Sequence, residues 1–139
     1  MKTAIVFWSG TGNTEAMASA VVEGVTAAGG EASSITVSNF SAEAIAGYDA
    51  IAWGCSAMGD EVLEESEFQP IWDECKSSLG GKKIALFGSY GWGDGLWMRE
   101  WEKECQELGL KLACDCVMAN DSPDDGAREA CKTLGKALV

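Results

Sequence analysis

The stretch Met1-Lys2-Thr3-Ala4-Ile5-Val6-Phe7-Trp8-Ser9-Gly10-Thr11-Gly12-Asn13-Thr14 decides the fold. Met1 to Trp8 is apolar and rich in β-formers, and the run breaks at Gly10. A short apolar run bounded by a turn signal reads as a strand covered on both faces. From Thr14 the period changes. Met17, Val21, Val22 and Val25 recur at helical spacing to about Ala28, and Gly29-Gly30 stops the helix. Between strand and helix, Gly10 and Gly12 allow a tight bend that turns several N–H groups inward. A helix N-terminus behind such a bend favours an anion. Ser9, Thr11, Asn13 and Thr14 add neutral donors, and no lysine is present. A dinucleotide fingerprint needs glycine where Glu15 stands, and a triphosphate loop needs the missing Gly-Lys-Ser/Thr. The loop suits a monophosphate; an ordinary capped turn fits the same residues.

The alternation continues outward. Strands are expected at Glu31–Val37, Tyr48–Ser56, Lys82–Ser89 and Leu110–Met118. Helices are expected at Ser41–Ala46 with Ser41 as cap, at Phe68–Leu79, and at Leu96–Leu108. A last helix is expected at Asp124–Val139, capped by Ser122 with Pro123 at its first position. Strand and helix alternating in this way predict a parallel sheet with helices on both faces. In such sheets ligands bind beyond the carboxyl ends of the strands. The loops richest in glycine, hydroxyls and aromatics follow the first, third and fourth strands, so they can converge on one ligand. Neither a linker nor an internal repeat interrupts the 139 residues, which read as one domain.

Charge and composition remove several function classes. The net charge is −12, so nucleic acid and anionic membranes are disfavoured as partners and a basic protein is the natural complement. Acidity for solubility alone is the plainer reading of the same number. With no histidine, Ser-His and Cys-His catalysis are absent, as is the commonest metal ligand. The six cysteines form no C-x-x-C pair. Cys114 and Cys116 should point the same way along a strand, too far apart for an unstrained bridge. The apolar amino-terminal run lacks the features of a signal peptide, and a cytoplasmic protein is expected.

Three segments carry a family resemblance: Trp8-Ser9-Gly10-Thr11-Gly12-Asn13-Thr14, Gly54-Cys55-Ser56-Ala57-Met58-Gly59-Asp60-Glu61-Val62-Leu63-Glu64, and Gly88-Ser89-Tyr90-Gly91-Trp92-Gly93-Asp94-Gly95. Each follows the appropriate strand, and together they resemble the short-chain clostridial-type flavodoxins over essentially the whole chain. The resemblance implies a flavodoxin-like three-layer α/β sandwich with a five-stranded parallel sheet in the order 2-1-3-4-5. It implies a low-potential one-electron carrier whose non-covalent FMN cycles between semiquinone and hydroquinone. By motif, Ser9, Gly10, Thr11, Gly12, Asn13 and Thr14 would hold the phosphate, with Ser56 and Ser89 near the ribityl chain. Met58 would cover the inner face of the flavin and Trp92 would stack on its outer face, with Ala57 and Tyr90 among the other cofactor-binding residues. Gly59, Asp60 and Glu61 would border the reactive edge, and Gly91 and Gly93 the pyrimidine end. Trp97 would contact the cofactor from the start of its helix. The implied partners are oxidoreductases and ferredoxin-dependent enzymes with basic docking surfaces, and the implied state is a monomer.

Two features bear on the redox chemistry. Met58-Gly59-Asp60-Glu61 reads as a four-residue turn whose central peptide could flip, since glycine accepts positive φ at little cost. Asp60, Glu61, Glu64, Glu65, Glu67 and Asp94 crowd the same loops and would disfavour an added negative charge on the flavin; solvated surface carboxylates are the alternative. A flavin-dependent reductase of the same fold needs a substrate pocket where Trp92 is expected. A receiver-type signalling domain needs an acidic pair where Ser9-Gly10 stands. An FMN-binding module without electron transfer would carry the same loops.

Overall fold

Seven residues, Lys2–Trp8, form β1, which pairs in parallel with β2 (Glu31–Thr36) on one side and β3 (Ala50–Cys55) on the other. The computed structural model describes residues 1–10, 12–58, 62–91 and 93–139. β4 (Lys83–Tyr90) lies beyond β3, and β5 (Val117–Asn120) closes the far edge, giving the parallel order β2-β1-β3-β4-β5. The expected order and three-layer architecture are therefore present.

Helices α1 (Asn13–Ala27) and α4 (Asp125–Ala137) cover one face; α2 (Phe68–Cys75) and α3 (Leu96–Glu107) cover the other. Successive strand residues alternate between the two layers, as the pleat requires. Ile5, Phe7, Ala50, Ala52, Ala85 and Phe87 face α1 and α4. Ala4, Val6, Ile51, Trp53, Ile84 and Leu86 face α2 and α3.

The second layer is built on large aromatics. Trp53, Phe68, Trp101 and Trp72 form a closed ring of edge-to-face contacts, with centroids 5.2–6.1 Å apart and interplanar angles of 79–90°. Such contacts put the positive edge of one ring against the π face of the next. Among the described residues, the buried indole N–H groups of Trp53 and Trp101 find no hydrogen-bond acceptor. The third indole of the ring, Trp72, donates instead to Glu104 Oε1 at 2.7 Å.

Several boundaries differ from those read in the sequence. The segment after β2 forms two 3-10 turns, Val37–Asn39 and Ala42–Gly47, instead of one helix, and Ser41 makes no side-chain cap. A run this short gains little from a full α-turn and follows the packing of Val37, Phe40 and Ile45. α2 tightens into a 3-10 turn at Lys76–Ser78. α4 is capped by Asp124, whose carboxylate accepts the Ala127 N–H at 2.8 Å, so Ser122 is not the cap. Asp124 lies next to the helix, at the position from which a side chain reaches its first free amides.

The largest departure is in the fifth strand. Leu112 makes one isolated bridge with Ile84, whereas Phe87 pairs with Val117. Three steps along β4 thus correspond to five along its neighbour, and the excess forms a bulge around Cys114–Cys116. The bulge sends Cys114 toward the α1/α4 layer and Cys116 toward the α2/α3 layer, contrary to the shared direction a regular strand would give. Cys116 is held there by a thiol hydrogen bond to Glu102 Oε2 at 3.0 Å.

On the α1/α4 face the strands contribute small side chains and the helices contribute glycine at their crossing. A Cβ on Gly24 would stand 2.0 Å from Lys132 O, and one on Gly135 would stand 2.3 Å from Val21 O. Backbone meets backbone there, so no flexible side chain can yield. Gly135→Ala is predicted to destabilise the protein by about 1 to 3 kcal/mol through overpacking. Gly47→Ala, where nothing lies within 4 Å of the added methyl, should stay within about 0.5 kcal/mol of the parent. Thermal or denaturant unfolding of both variants decides this, and equal stabilities would rule out the close crossing.

Candidate functional site

The carboxyl ends of β1, β3, β4 and β5 enclose a cleft of about 340 Å³. Its lining brings together Gly10 and Asn13 from the first loop, Ser56, Ala57 and Met58 from the second, and Ser89, Tyr90 and Gly91 from the third. Trp8 and Asp121 complete it. Eight of the residues expected at the site from sequence therefore share one wall-to-wall space. Thr11, Gly59, Asp60, Glu61 and Trp92, expected there as well, lie outside the described residues.

The floor of the cleft is a buried hydroxyl junction. Thr14, with no exposed surface, places Oγ1 2.7 Å from Ser56 Oγ and 3.3 Å from Ser89 Oγ. Thr14 Oγ1 also accepts the Ser89 N–H at 3.3 Å. One threonine at the start of α1 thereby joins the ends of β3 and β4, and a further bond from Ala57 N–H to Ser89 O, 2.9 Å long, seals those two loops together. Buried hydroxyls need such partners, because an unmatched one costs about 1 to 3 kcal/mol.

Above the junction the first loop is shaped for an anion. Gly12 occupies the cap position of α1 with φ of 94°, left-handed backbone that favours glycine. Its N–H donates to Ser9 Oγ at 3.0 Å, and no side chain caps the helix. The free amides of the first turn therefore face the loop. Among the described lining residues Asp121 alone is charged, so an anion here meets neutral donors.

The second loop is pinned at both ends. Met58 N–H donates to Val62 O and Val62 N–H to Met58 O, each at 2.9 Å. Met58 remains 41% exposed, an apolar side chain standing at the rim of the cleft. Behind the loop, the buried Cys55 thiol accepts the Glu64 N–H at 3.4 Å, and burial pushes that thiol up to about 12. This gives Cys55 a structural position, where the sequence suggested no role.

Glu64 was grouped in the sequence with the carboxylates around the loops. Its side chain turns back onto the start of α2, accepting N–H bonds from Ser66, Glu67 and Phe68 at 2.6–3.0 Å as well as the Ser66 hydroxyl. Desolvation opposes its charge, but the hydroxyl and the three amides outweigh it and hold the carboxyl below its usual 4.5. Asp94 pairs with Arg99 at 3.0 Å across an exposed surface.

The third loop rests on Trp97. This tryptophan was expected at the cofactor, but it is buried, with its Nε1–H donating to Cys55 O at 3.1 Å. Its ring lies 5.5 Å from that of Tyr90, so Trp97 supports the cleft wall from behind instead of lining it. Gly93 stands outside the cleft with φ of 88°.

Sequence reading missed Asn120 and Asp121. Asn120 Nδ2 donates to Tyr90 O and Gly91 O, both at 3.3 Å, and Asp121 N–H donates to Tyr90 O at 2.7 Å. Asp121 adopts φ of 57°, a conformation that aspartate and asparagine tolerate better than most residues. The available signal was the Asn-Asp pair at a strand end, obscured because the strand was expected to stop at Met118.

Comparison with known proteins gives a consistent result. The Flavodoxin family profile matches residues 5–134. A flavodoxin from Clostridium beijerinckii is 45% identical over 135 residues, covering 97% of each chain. A flavodoxin from Megasphaera elsdenii is 42% identical over 135 residues, covering 97% of this chain and 96% of that one. The solution structure of the two-electron reduced Megasphaera elsdenii protein superposes with a TM-score of 0.89 over 98% of this chain and 97% of that one.

The Glu64 cap makes stability depend on pH. Its folded pKa is lowered, so its contribution is present above the ordinary glutamate value of 4.5 and is lost as pH falls through the folded value. Glu64→Gln should therefore unfold about 1.5 to 3 kcal/mol more easily at pH 7, the range for hydrogen bonds to a charged group. The difference should shrink as acid protonates the parent. Denaturant titrations across pH measure it, and a difference independent of pH would refute the charged cap.

Proposed function

The chain belongs to the flavodoxin family, and from that premise we propose how its own residues serve an FMN-binding electron carrier. It is such a carrier, and it works with redox partner proteins. FMN, when bound, supplies the one-electron chemistry; the protein supplies position, exclusion of water and electrostatics. The observation that carries the assignment is the buried Thr14–Ser56–Ser89 junction beneath a cation-free helix N-terminus.

The donor set fits the group. The loop Ser9–Thr14 would hold the phosphate through hydroxyls and the free amides at the start of α1, with Ser56 and Ser89 beneath it. Neutral donors neutralise less charge than lysine would, so the phosphate keeps a negative field in the site. When bound, the flavin would be covered on one face by Met58 and, by family motif, on the other by Trp92, with Tyr90, backed by Trp97, as neighbouring aromatic wall. By family motif, Gly59, Asp60 and Glu61 would border the reactive edge; the paired Met58 and Val62 backbones flank that segment. Gly91, whose carbonyl accepts from Asn120 Nδ2, would present backbone to the pyrimidine end.

Low potential follows from crowded negative charge. A carboxylate about 10 Å from the ring disfavours an added electron by roughly 1 to 2 kcal/mol at an effective dielectric of ~20, before salt screening. Asp121 lines the cleft, and Glu64 stays ionised at neutral pH while capping α2. The carrier reading fits better than a reductase of the same fold, because the relatives that match nearly the full chain are flavodoxins and Trp92 is expected where a reductase would need its substrate pocket. We take residues 1–139 to act as one FMN-binding domain, monomeric and cytoplasmic, turning over no substrate of its own.

Two measurements test this reading. FMN should bind far more tightly than riboflavin or FAD, since the neutral donors and free helix amides of the first loop suit a single terminal phosphate. Equal affinities for FMN and riboflavin would remove the phosphate from Ser9–Thr14. Electron transfer to a basic redox protein should slow as ionic strength rises, because a net charge of −12 steers the encounter. A flat salt profile would remove the basic docking surface.

A further inference from the structure

Four buried indoles, Trp53, Trp72, Trp97 and Trp101, stand in the α2/α3 layer behind the cleft wall, and they differ in what receives their N–H. We propose that, with FMN bound in the cleft, Trp97, Trp101 and Trp72 form a relay that carries an electron hole away from the light-excited flavin to Trp72, where Glu104 takes the indole proton.

Packing sets the route. Tyr90 lines the cleft, and its ring lies 5.5 Å from that of Trp97. Trp97 and Trp101 stand four residues apart on α3 and are buried in the same core. They therefore occupy successive turns of one helix face, with Cβ atoms about 5–6 Å apart. Trp101 meets Trp72 edge to face, with ring centroids 5.6 Å apart. Electrons pass between neighbouring π systems through packed atoms, so each step moves the hole by one ring.

The N–H partners set the direction. Removing an electron from an indole turns its weakly acidic N–H into an acid comparable to a carboxylic acid. Trp97 donates to the Cys55 carbonyl at 3.1 Å, which cannot take the proton, and Trp53 and Trp101 find no acceptor among the described residues. A hole on any of these three leaves an uncompensated cation in the core, which burial disfavours. Trp72 is the one of the four that donates to a carboxylate, Glu104 Oε1 at 2.7 Å. There the Nε1–H bond breaks, an Oε1–H bond forms and the flavin has gained one electron. Burial favours the resulting pair of neutral groups over an ion pair. Lys76 Nζ holds the other carboxylate oxygen, Oε2, at 2.8 Å, and the Lys76 and Glu104 side chains are 28% and 35% exposed. The relay thus ends one side chain beneath solvent, where a one-electron reductant such as ascorbate refills the hole and Glu104 returns the proton.

The test is flash excitation of the flavin in FMN-loaded protein, with transient absorption distinguishing cationic from neutral tryptophan radicals. Bound FMN is first verified by its visible absorption, so loss of the cofactor and loss of the relay are told apart. The parent should form a long-lived neutral radical. Glu104→Gln keeps a hydrogen-bond acceptor that cannot take the proton. In that variant the radical should stay cationic and its lifetime should fall about tenfold, the factor equivalent to one charge-assisted contact. Trp72→Phe and Trp101→Phe should each abolish the long-lived neutral radical. Glu104→Gln alters a partly exposed side chain, so the test does not depend on the two core variants folding. A Trp72–Glu104 bond that only holds the fold predicts the same transient in the parent and in Glu104→Gln. That result, the absence of a neutral radical in the parent, or its survival in Trp72→Phe or Trp101→Phe would each overturn the relay while leaving FMN binding and the carrier function intact.

Discussion

The hydroxyl of Thr14 ties the functional end of the molecule together. It lies at the start of α1, yet its partners are Ser56 and Ser89, which end β3 and β4. These are the three loops that surround the cleft, and their relative positions are set by contacts of 2.7–3.3 Å in a space closed to water. In that low-dielectric setting each hydroxyl needs its partner, so a shift in one loop is resisted by the other two. The loops above can therefore present glycine backbone and an exposed methionine without losing their alignment.

The two sides of the sheet solve different packing problems. On the α1/α4 side, alanines in β3 and β4 and the glycines at the helix crossing let two helices approach each other and the sheet closely. On the other side, the space under a short α2 and a longer α3 is filled by interlocked indoles and Phe68. Trp97 extends that aromatic layer to the back of Tyr90, so the packing of the core reaches the cleft wall. Its buried indole N–H and the Cys55 carbonyl satisfy each other, which makes the wall part of the core.

Charged side chains stand at both ends of the sheet, Glu31 and Asp49 at the amino ends among them. Carboxylates gather at the carboxyl ends of the strands, where Glu64 is retained as an ion by the amides of α2 and Asp121 is carried into the cleft by a left-handed backbone. Lys82, Lys83 and Lys111 stand at the amino ends as well. In an acidic protein the carboxylates near the cleft leave it in a negative field.

The sequence by itself determined the elements whose information is local. The switch from an apolar run to helical spacing at Thr14, the glycines that start and stop α1, and the order of the glycine- and hydroxyl-rich loops were legible because each depends on near neighbours. From these the parallel sheet, its order through family resemblance, and most of the cleft followed. Tertiary structure alone decided which partners distant groups would find. Nothing local marks Thr14 as the link between Ser56 and Ser89, or Glu64 as the cap of α2 instead of a solvated charge. Trp97 left the cleft because the position four residues before Trp101 on α3 points into the core, and the Cys55 carbonyl was waiting there for its N–H. The fifth strand read as continuous because its residues suit a strand; the register of β4 imposed the bulge and moved the strand end to Asn120, which brought Asn120 and Asp121 to the site. Hydrogen-bond satisfaction and strand register are properties of the assembled sheet, and no window of sequence contains them.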